Sequence, residues 1–249
     1  MTRSKILLVR TVLVALVGAC VCVFLGYRWY STRDTCGDML DAHAPALYVV
    51  HAFELEQDAF LRQVTVEGQC QYRGVSYSTA RHAGVPFVSY RSGVGPEQAR
   101  TTAVATLERF AVPALVMAGI AGSPDQFLPV GSVLVAKQWG DVNATYQVTA
   151  TPALVARAEH AGALPTTYGV TAHKFVANSS KLPAGATLVD MESAAVLAAA
   201  VEAGVPTVAI RAVSDHVNGE DTAADWDHAA QEAALVTLEF IRLSADVPY

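Results

Sequence analysis

The chain has 249 residues, 52% of them hydrophobic and only 16% charged, with a formal net charge of −6. That length and apolar fraction allow one domain with a substantial core, and the abundance of Ala, Val and Gly suits tightly packed α/β layers. No Lys/Arg block or basic–aromatic alternation appears in the globular part, which argues against nucleic acid as a partner and leaves a small molecule as the expected ligand.

The N-terminus stands apart. Arg3, Lys5 and Arg10 precede seventeen uncharged residues, Thr11 to Tyr27, and Arg28, Trp29 and Tyr30 close the run in the manner of an interfacial belt. The run exceeds the usual signal-peptide core of about 7–15 residues and sits at the short end of the roughly 17–25 that span a bilayer. A membrane anchor over residues about 11–27 is therefore expected, with a cleaved signal peptide or a lipoprotein signal ending at Cys20 as alternatives. The leading basic residues favour an inside N-terminus and a globular part outside the cytoplasm, as in the periplasm. Segment 1–30 is thus anchor or signal, 31–45 a polar tether, and 46–245 the folded domain. Cys36 and Cys70 are the cysteines left to the soluble part; outside the cytoplasm they either pair or stay free thiols. No Cys/His metal spacing is present, and no cofactor or metal is expected.

From residue 46 onward apolar strands and helices alternate. "ALYVVHAF" (46–53) reads as a strand and "ELEQDAFLRQV" after it as a helix. "GVPFVSYRSGVG" (84–95) is a strand running into a glycine turn, and "PEQARTTAVATLERF" (96–110) a helix with Pro at its first position. "PALVMAGIAGS" (113–123) and "VGSVLVAKQW" (130–139) are buried strands. "TPALVARAEHAG" (151–162) predicts a helix capped by Thr151, and "TTYGVTAHKFVAN" (166–178) a strand. "ATLVDMES" (186–193) ends a strand, "AAVLAAAVEAG" is a helix, "VPTVAIRAVSDHV" (205–217) the last strand, and "ADWDHAAQEAALVTLEFIRLSA" (224–245) an amphipathic helix. The alternation predicts an α/β fold: three-layer α/β/α around a central mixed, largely parallel, twisted sheet.

In such sheets ligands collect at the carboxyl ends of strands. Glu54 and Glu56 follow the first strand; Arg91, Ser92, Gly93 and Gly95 the next. Gly119, Ala121, Gly122 and Ser123 end another strand, Asp190 and Glu192 stand in "LVDMES", and Arg211, Ser214, Asp215 and His216 lie in the last. Each alone has a plain structural reading: "SGVGP" as a turn, Asp190 and Glu192 as helix caps favoured by the dipole, His173 as a polar loop residue. Strand alternation would set Asp190 and Glu192 on one side and Met191 on the other unless the chain turns there.

"VVHAFELE", "RSGVG", "AGIAGS", "VDMESAAV" and "AIRAVSDHV", in that order, resemble the purine nucleoside phosphorylase/uridine phosphorylase superfamily. The pattern is most like the 5′-methylthioadenosine/S-adenosylhomocysteine nucleosidases and the hopanoid-associated nucleoside phosphorylases, and it covers roughly residues 46–243. The resemblance implies cleavage of the N-glycosidic bond of a purine nucleoside, with Asp215 as the general acid toward the base. It implies Glu192 on the 2′- and 3′-hydroxyls, with Met191 packed below the sugar. Water would be held by Glu56, Ser92 and Arg211. Phe175 would stack on the purine and the Val176 backbone read its edge, with Gly93, Ala121, Gly122 and Ser214 as further contacts. It also suggests a homodimer.

Two nucleophiles compete, water and phosphate. Hexameric phosphorylases of the superfamily carry an arginine and a serine where this chain has Met117 and Ile120, and the charge of Glu56 would repel phosphate. Hydrolysis of a 5′-modified adenosine is therefore favoured over phosphorolysis, and a catalytically silent nucleoside-binding module is the third reading. Two departures fall on the base and 5′ pockets. The segments after 139 and after Phe175 are short, and "TAHKFVAN" brings His173 and Lys174 where an acidic pattern is familiar.

Overall fold

The computed structural model describes residues 36–217 and 223–245, with side chains in the last helix from Asp225 onward. The expected membrane segment lies outside these residues. Among the described residues no helix is long and apolar enough to cross a membrane.

The chain opens with α1 (Gly37–His43), β1 (Leu47–His51) and α2 (Glu54–Leu61). A meander follows of β2 (Val66–Tyr72), β3 (Val75–His82) and β4 (Val85–Arg91). Then come α3 (Pro96–Arg109), β5 (Leu115–Ser123), β6 (Val133–Asp141), β7 (Gln147–Thr149), α4 (Pro152–His160) and β8 (Leu164–Thr171). The last elements are β9 (Leu188–Asp190), α5 (Ser193–Glu202), β10 (Thr207–His216) and α6 (Ala223–Arg242).

The mixed α/β architecture agrees with expectation, and β1, β5 and β10 are buried almost throughout, as parallel strands covered on both faces must be. β1 runs parallel to β4 and β5, and β5 parallel to β10. The sheet is more than an open layer. β10 also pairs antiparallel with β6, which pairs with β8, then β9, and β9 returns to β5. Five strands thus close on themselves, and β1, β4, β3 and β2 extend from the closed part as a wing.

Of the meander, the sequence predicts β4 within 84–95 but neither β2 nor β3. Its two turns, Arg73-Gly74 and Ala83-Gly84, hold both central residues in the left-handed region, the type I′ pattern that matches strand twist. A Cβ at Gly74 or Gly84 would meet nothing within 4 Å, so glycine serves backbone conformation there, not space.

Three other expectations change. Residues 37–43 of the polar tether form α1, which buries Leu40 and is bonded to β2 through a Cys36–Cys70 disulfide. His43 Nε2 also lies 3.2 Å from the Ala80 carbonyl and 3.1 Å from that of Phe87, so the folded unit begins before residue 46. The strand expected over 166–178 stops at Thr171, and the residues beyond it form a loop. Thr151 stands at the N-cap of α4, but its hydroxyl accepts from the Thr207 amide at 2.9 Å instead of capping the helix.

α6 is amphipathic as predicted. Ala229, Ala230, Ala233, Ala234, Leu238 and Ile241 share its buried side. α5 is apolar nearly all round, because its small side chains let it sit between α3 and the sheet.

Candidate active site

Where β5 parts from β1 and meets β10, a cavity of about 290 Å³ opens at the carboxyl ends of the strands. Phe53 and Glu56 from the start of α2 form one wall, and Ile120, Ala121 and Gly122 of β5 the floor. The segment Val189–Glu192 forms the opposite wall with Ser214 and Asp215, while Val94, Lys174, Phe175, Val176 and Trp226 reach in from loops and the first turns of α6.

Two backbone irregularities aim the acids. β10 slips register against β5 between Val213 and Asp215, so the consecutive Ser214 and Asp215 both face the cavity. Ser214 Oγ donates to Asp215 Oδ1 at 2.5 Å. β9 ends at Asp190 and the chain turns before α5, so Asp190, Met191 and Glu192 all reach the cavity despite their consecutive positions.

Behind the wall stands Arg211, fully buried. Its Nη1 donates to Glu56 Oε1 (3.2 Å), its Nε to Ser193 Oγ (3.1 Å), and its Nη2 lies 2.7 Å from Asp190 Oδ2 and 3.8 Å from Glu192 Oε2. One guanidinium thus serves three carboxylates. Burial opposes its charge, but Asp190, Glu56 and Glu192 outweigh that and raise its pKa further. Glu56 also accepts from the Ala52 amide (2.6 Å, Oε2) and the Ile120 amide (2.9 Å, Oε1). Burial pushes its carboxyl above the usual range, against the pull of Arg211 and these amides. A Cβ at residue 119 would overlap Glu56 Oε1 and Arg211 Nη1, so only glycine lets the pair approach β5.

Glu192 Oε1 accepts from the Gly95 amide at 2.8 Å. Burial, then the neighbouring Asp190 charge, push its carboxyl up to about 7, although Arg211 and Gly95 pull the other way. Asp190 does cap α5, accepting from the Ser193 amide at 3.1 Å, but it also accepts from Thr171 Oγ1 (2.7 Å) and holds Arg211. The reading of Asp190 as a cap alone is therefore incomplete.

Of the residues singled out from sequence, Glu56, Ala121, Gly122, Phe175, Val176, Met191, Glu192, Ser214 and Asp215 line the cavity. Arg211, Ser92 and Gly93 do not. The Ser92 hydroxyl is buried and reaches the His51 carbonyl (3.2 Å) or that of Gly93 (3.0 Å), while its amide donates to His51 at 2.8 Å. These residues therefore shape the wall from behind.

Sequence reasoning missed Phe53, Val94, Val189 and Trp226 on the wall, apolar residues with no chemical signature of their own. It also missed His51, whose Nδ1 donates to the Ala118 carbonyl at 3.0 Å where β1 and β5 separate. Burial, joined by the Arg211 charge against that bond, pushes its imidazole down to about 3, so it stays neutral. Among the described residues no group of three or more His, Cys, Asp or Glu is arranged to hold a metal ion.

Solved structures share this fold. The 5′-methylthioadenosine/S-adenosylhomocysteine nucleosidase of Neisseria meningitidis, in complex with methylthio-immucillin-A, superposes with a TM-score of 0.70 at 22% identity, over 79% of this chain and 98% of that one. The enzyme of the same name from Colwellia psychrerythraea 34H, in complex with adenine, gives 0.73 at 21% identity, over 82% and 97%. That of Streptococcus pneumoniae, with 8-aminoadenine, gives 0.72 at 22%, over 79% and 98%. No curated protein matches the sequence. The family model of the phosphorylase superfamily matches residues 47–242, nearly the whole described domain, and the chain belongs to that superfamily.

Proposed function

We propose that the protein hydrolyses the N-glycosidic bond of a purine nucleoside, with a 5′-modified adenosine such as methylthioadenosine or S-adenosylhomocysteine as its preferred substrate. The observation that carries this reading is the Glu56 carboxylate on the cavity wall, bonded at Ile120, while Asp215 lies against Gly122 of the same strand. Two residues along a strand span about 6–7 Å, room for a sugar carbon and an attacking water between the two acids. Superfamily membership and the adenine-type ligands held by the similar nucleosidases support a purine nucleoside.

The C1′–N9 bond breaks with its electron pair going to the purine, and a proton from Asp215 to N7 lets the base leave neutral. Ser214 fixes the orientation of that carboxyl. The sugar becomes oxocarbenium-like, and Glu192, beside Met191, accepts its 2′- and 3′-hydroxyls. Glu56, its basicity raised by burial, takes the proton of the water that attacks C1′. Arg211 does not reach the cavity, so it acts by holding Glu56 and Asp190 in place. Ser92 and Gly93 act likewise, by setting the backbone that brings Val94 and the Gly95 amide to the site. Phe175 stacks on the purine from the rim, the Val176 backbone reads its edge, and Ala121 and Gly122 form the floor beneath it.

Water is favoured over phosphate because, among the described residues, the deep end offers no free cation. Arg211 is committed to three carboxylates and the Ile120 amide to Glu56. Among the described residues lining the cavity, the remaining cation is Lys174, in the loop after β8.

Incubating the protein with methylthioadenosine, adenosine and inosine, with and without phosphate, and chromatographing the products tests the reading. Free base and free sugar without phosphate are expected. A strict phosphate requirement would make the enzyme a phosphorylase, and binding without turnover would make it a silent module. Asp215→Asn should lower turnover about 10²- to 10⁴-fold while adenine still binds; near-normal turnover would remove Asp215 as the acid.

We also infer that the domain works outside the cytoplasm, anchored by residues about 11–27. The Cys36–Cys70 disulfide supports this, because such bonds persist in oxidising compartments. The resemblance to the nucleosidases supports a homodimer.

A further inference from the structure

His173 and Lys174, the departure from the familiar pattern, are unused by the reaction just described. His173 stands in the loop that follows β8 and carries Lys174, Phe175 and Val176 to the cavity. The loop is held at its start by the Ala172 amide on the Asp190 carbonyl (2.7 Å) and resumes local bonding at Asn178, whose side chain accepts from the Ser180 amide. Between these points Lys174, Phe175 and Ala177 are exposed.

Among the described residues, the side-chain polar tie inside that stretch is His173 Nε2 donating to Asp141 Oδ2 at 3.2 Å. Asp141 is a prepared acceptor. Its side chain is fully buried at the end of β6, and its Oδ1 takes the Tyr146 amide at 2.9 Å. Burial pushes its carboxyl up, but the bonds from Tyr146, His173 and Thr145 outweigh that and hold it below the usual range. An apolar contact runs beside the polar one, because Val142 and Val176 pack on the same small cluster of Ala172, Val189 and Val217. Tyr146 lies under the guanidinium of Arg100, which pairs with Glu202 at 2.6 Å, so the acceptor's own loop is braced against α3 and α5.

We propose that Asp141 and His173 form a clasp that fixes the loop Ala172–Asn178 over the cavity, making both positioning residues for the face that receives the base. They touch no reacting atom, so the clasp governs substrate affinity and leaves the chemical step alone. The assignment to base binding rests on the function proposed above; the clasp itself does not.

Trypsin supplies a readout independent of activity, because Lys174 is an exposed cleavage site within the loop. Cleavage after Lys174 in the native protein should accelerate about five- to tenfold in His173→Ala and in Asp141→Asn, as expected for loss of one ordinary, half-exposed hydrogen bond when proteolysis follows the open population. His173→Gln, whose amide nitrogen replaces Nε2 as donor, should restore the wild-type cleavage rate. With a cleavable nucleoside, His173→Ala should raise KM by a similar factor and leave kcat within about twofold, since uniform binding alone is lost. Unchanged cleavage at Lys174 in His173→Ala overturns the clasp, as does a fall in kcat with KM unmoved. If Asp141→Asn fails to fold, the two His173 variants decide. If the wild type cleaves and binds no nucleoside, the functional reading fails while the proteolysis still tests the clasp.

Discussion

Glu192 stands where three influences meet: a buried wall, the charge of Asp190, and the guanidinium of Arg211. With its pKa raised to about 7 against an ordinary 4.5, it keeps a proton in the folded protein that the unfolded chain has lost. Its contribution to stability is therefore fully present below about pH 4.5 and is lost as pH rises through 7. Sugar hydroxyls would donate to the ionised form and pull the pKa down again. Nucleoside binding at pH 7 should then release up to about half a proton per site, read by calorimetry in two buffers of different ionisation enthalpy. Glu192→Gln should abolish the release; its persistence would place the proton elsewhere. In sequence, "VDMES" alone reads as a helix cap, and the family resemblance is what points Glu192 toward a sugar. What it hid was Asp190's double duty, because a carboxylate that caps its own helix and one that also holds a buried arginine are written with the same letter.

At the scale of elements, the long periodic segments were legible. α3 and α6 carry a buried stripe, while β5 is a buried run without charge and β10 an apolar run broken by Arg211 before its polar end. β2 and β3 of the meander were not, because β2 is an edge strand with one wet face and the turns are Arg-Gly and Ala-Gly, without the Asn or Asp that advertise a hairpin. Residues 166–178 look uniformly strand-like, yet pairing with β6 and β9 ends at Thr171, and unpaired backbone leaves the sheet. α1 is held to the wing by the Cys36–Cys70 bond across 34 residues of chain. Cys70→Ser should lower stability by about 3–4 kcal/mol in the chain-entropy estimate, read as a lower urea midpoint that reductant reproduces in the wild type. Turnover of the native protein should be unchanged, because β2 lies four strands from β5. An unaltered midpoint would mean that α1 docks without the bond.

For the whole molecule, the described core draws on residues from Cys36 to Ile241. A chain that begins at residue 34 and keeps both cysteines should therefore unfold at the same temperature as the full chain in detergent. Sedimentation of that shorter chain tests the homodimer at the same time. Aggregation, or loss of a cooperative transition, would tie the fold to the N-terminal segment. The closed part of the sheet gives the site its rigidity. β5 is bonded on both edges by β1 and β10 and meets β9 at its end, so the floor beneath Glu56 and Asp215 is braced from three sides.

The sequence by itself determined the α/β class, the order of most elements, the family resemblance, and the acids at strand ends. These follow from periodicity and residue type, which are local. Only the tertiary structure decided that the sheet closes, that Arg211 lies behind the wall holding Glu56 and Asp190, that a bulge turns both Ser214 and Asp215 inward, and that Asp141 reaches His173. Each of these depends on strand register and on partners 18 to 155 residues apart. Such contacts form when burial brings distant segments together, and no short stretch of chain encodes them.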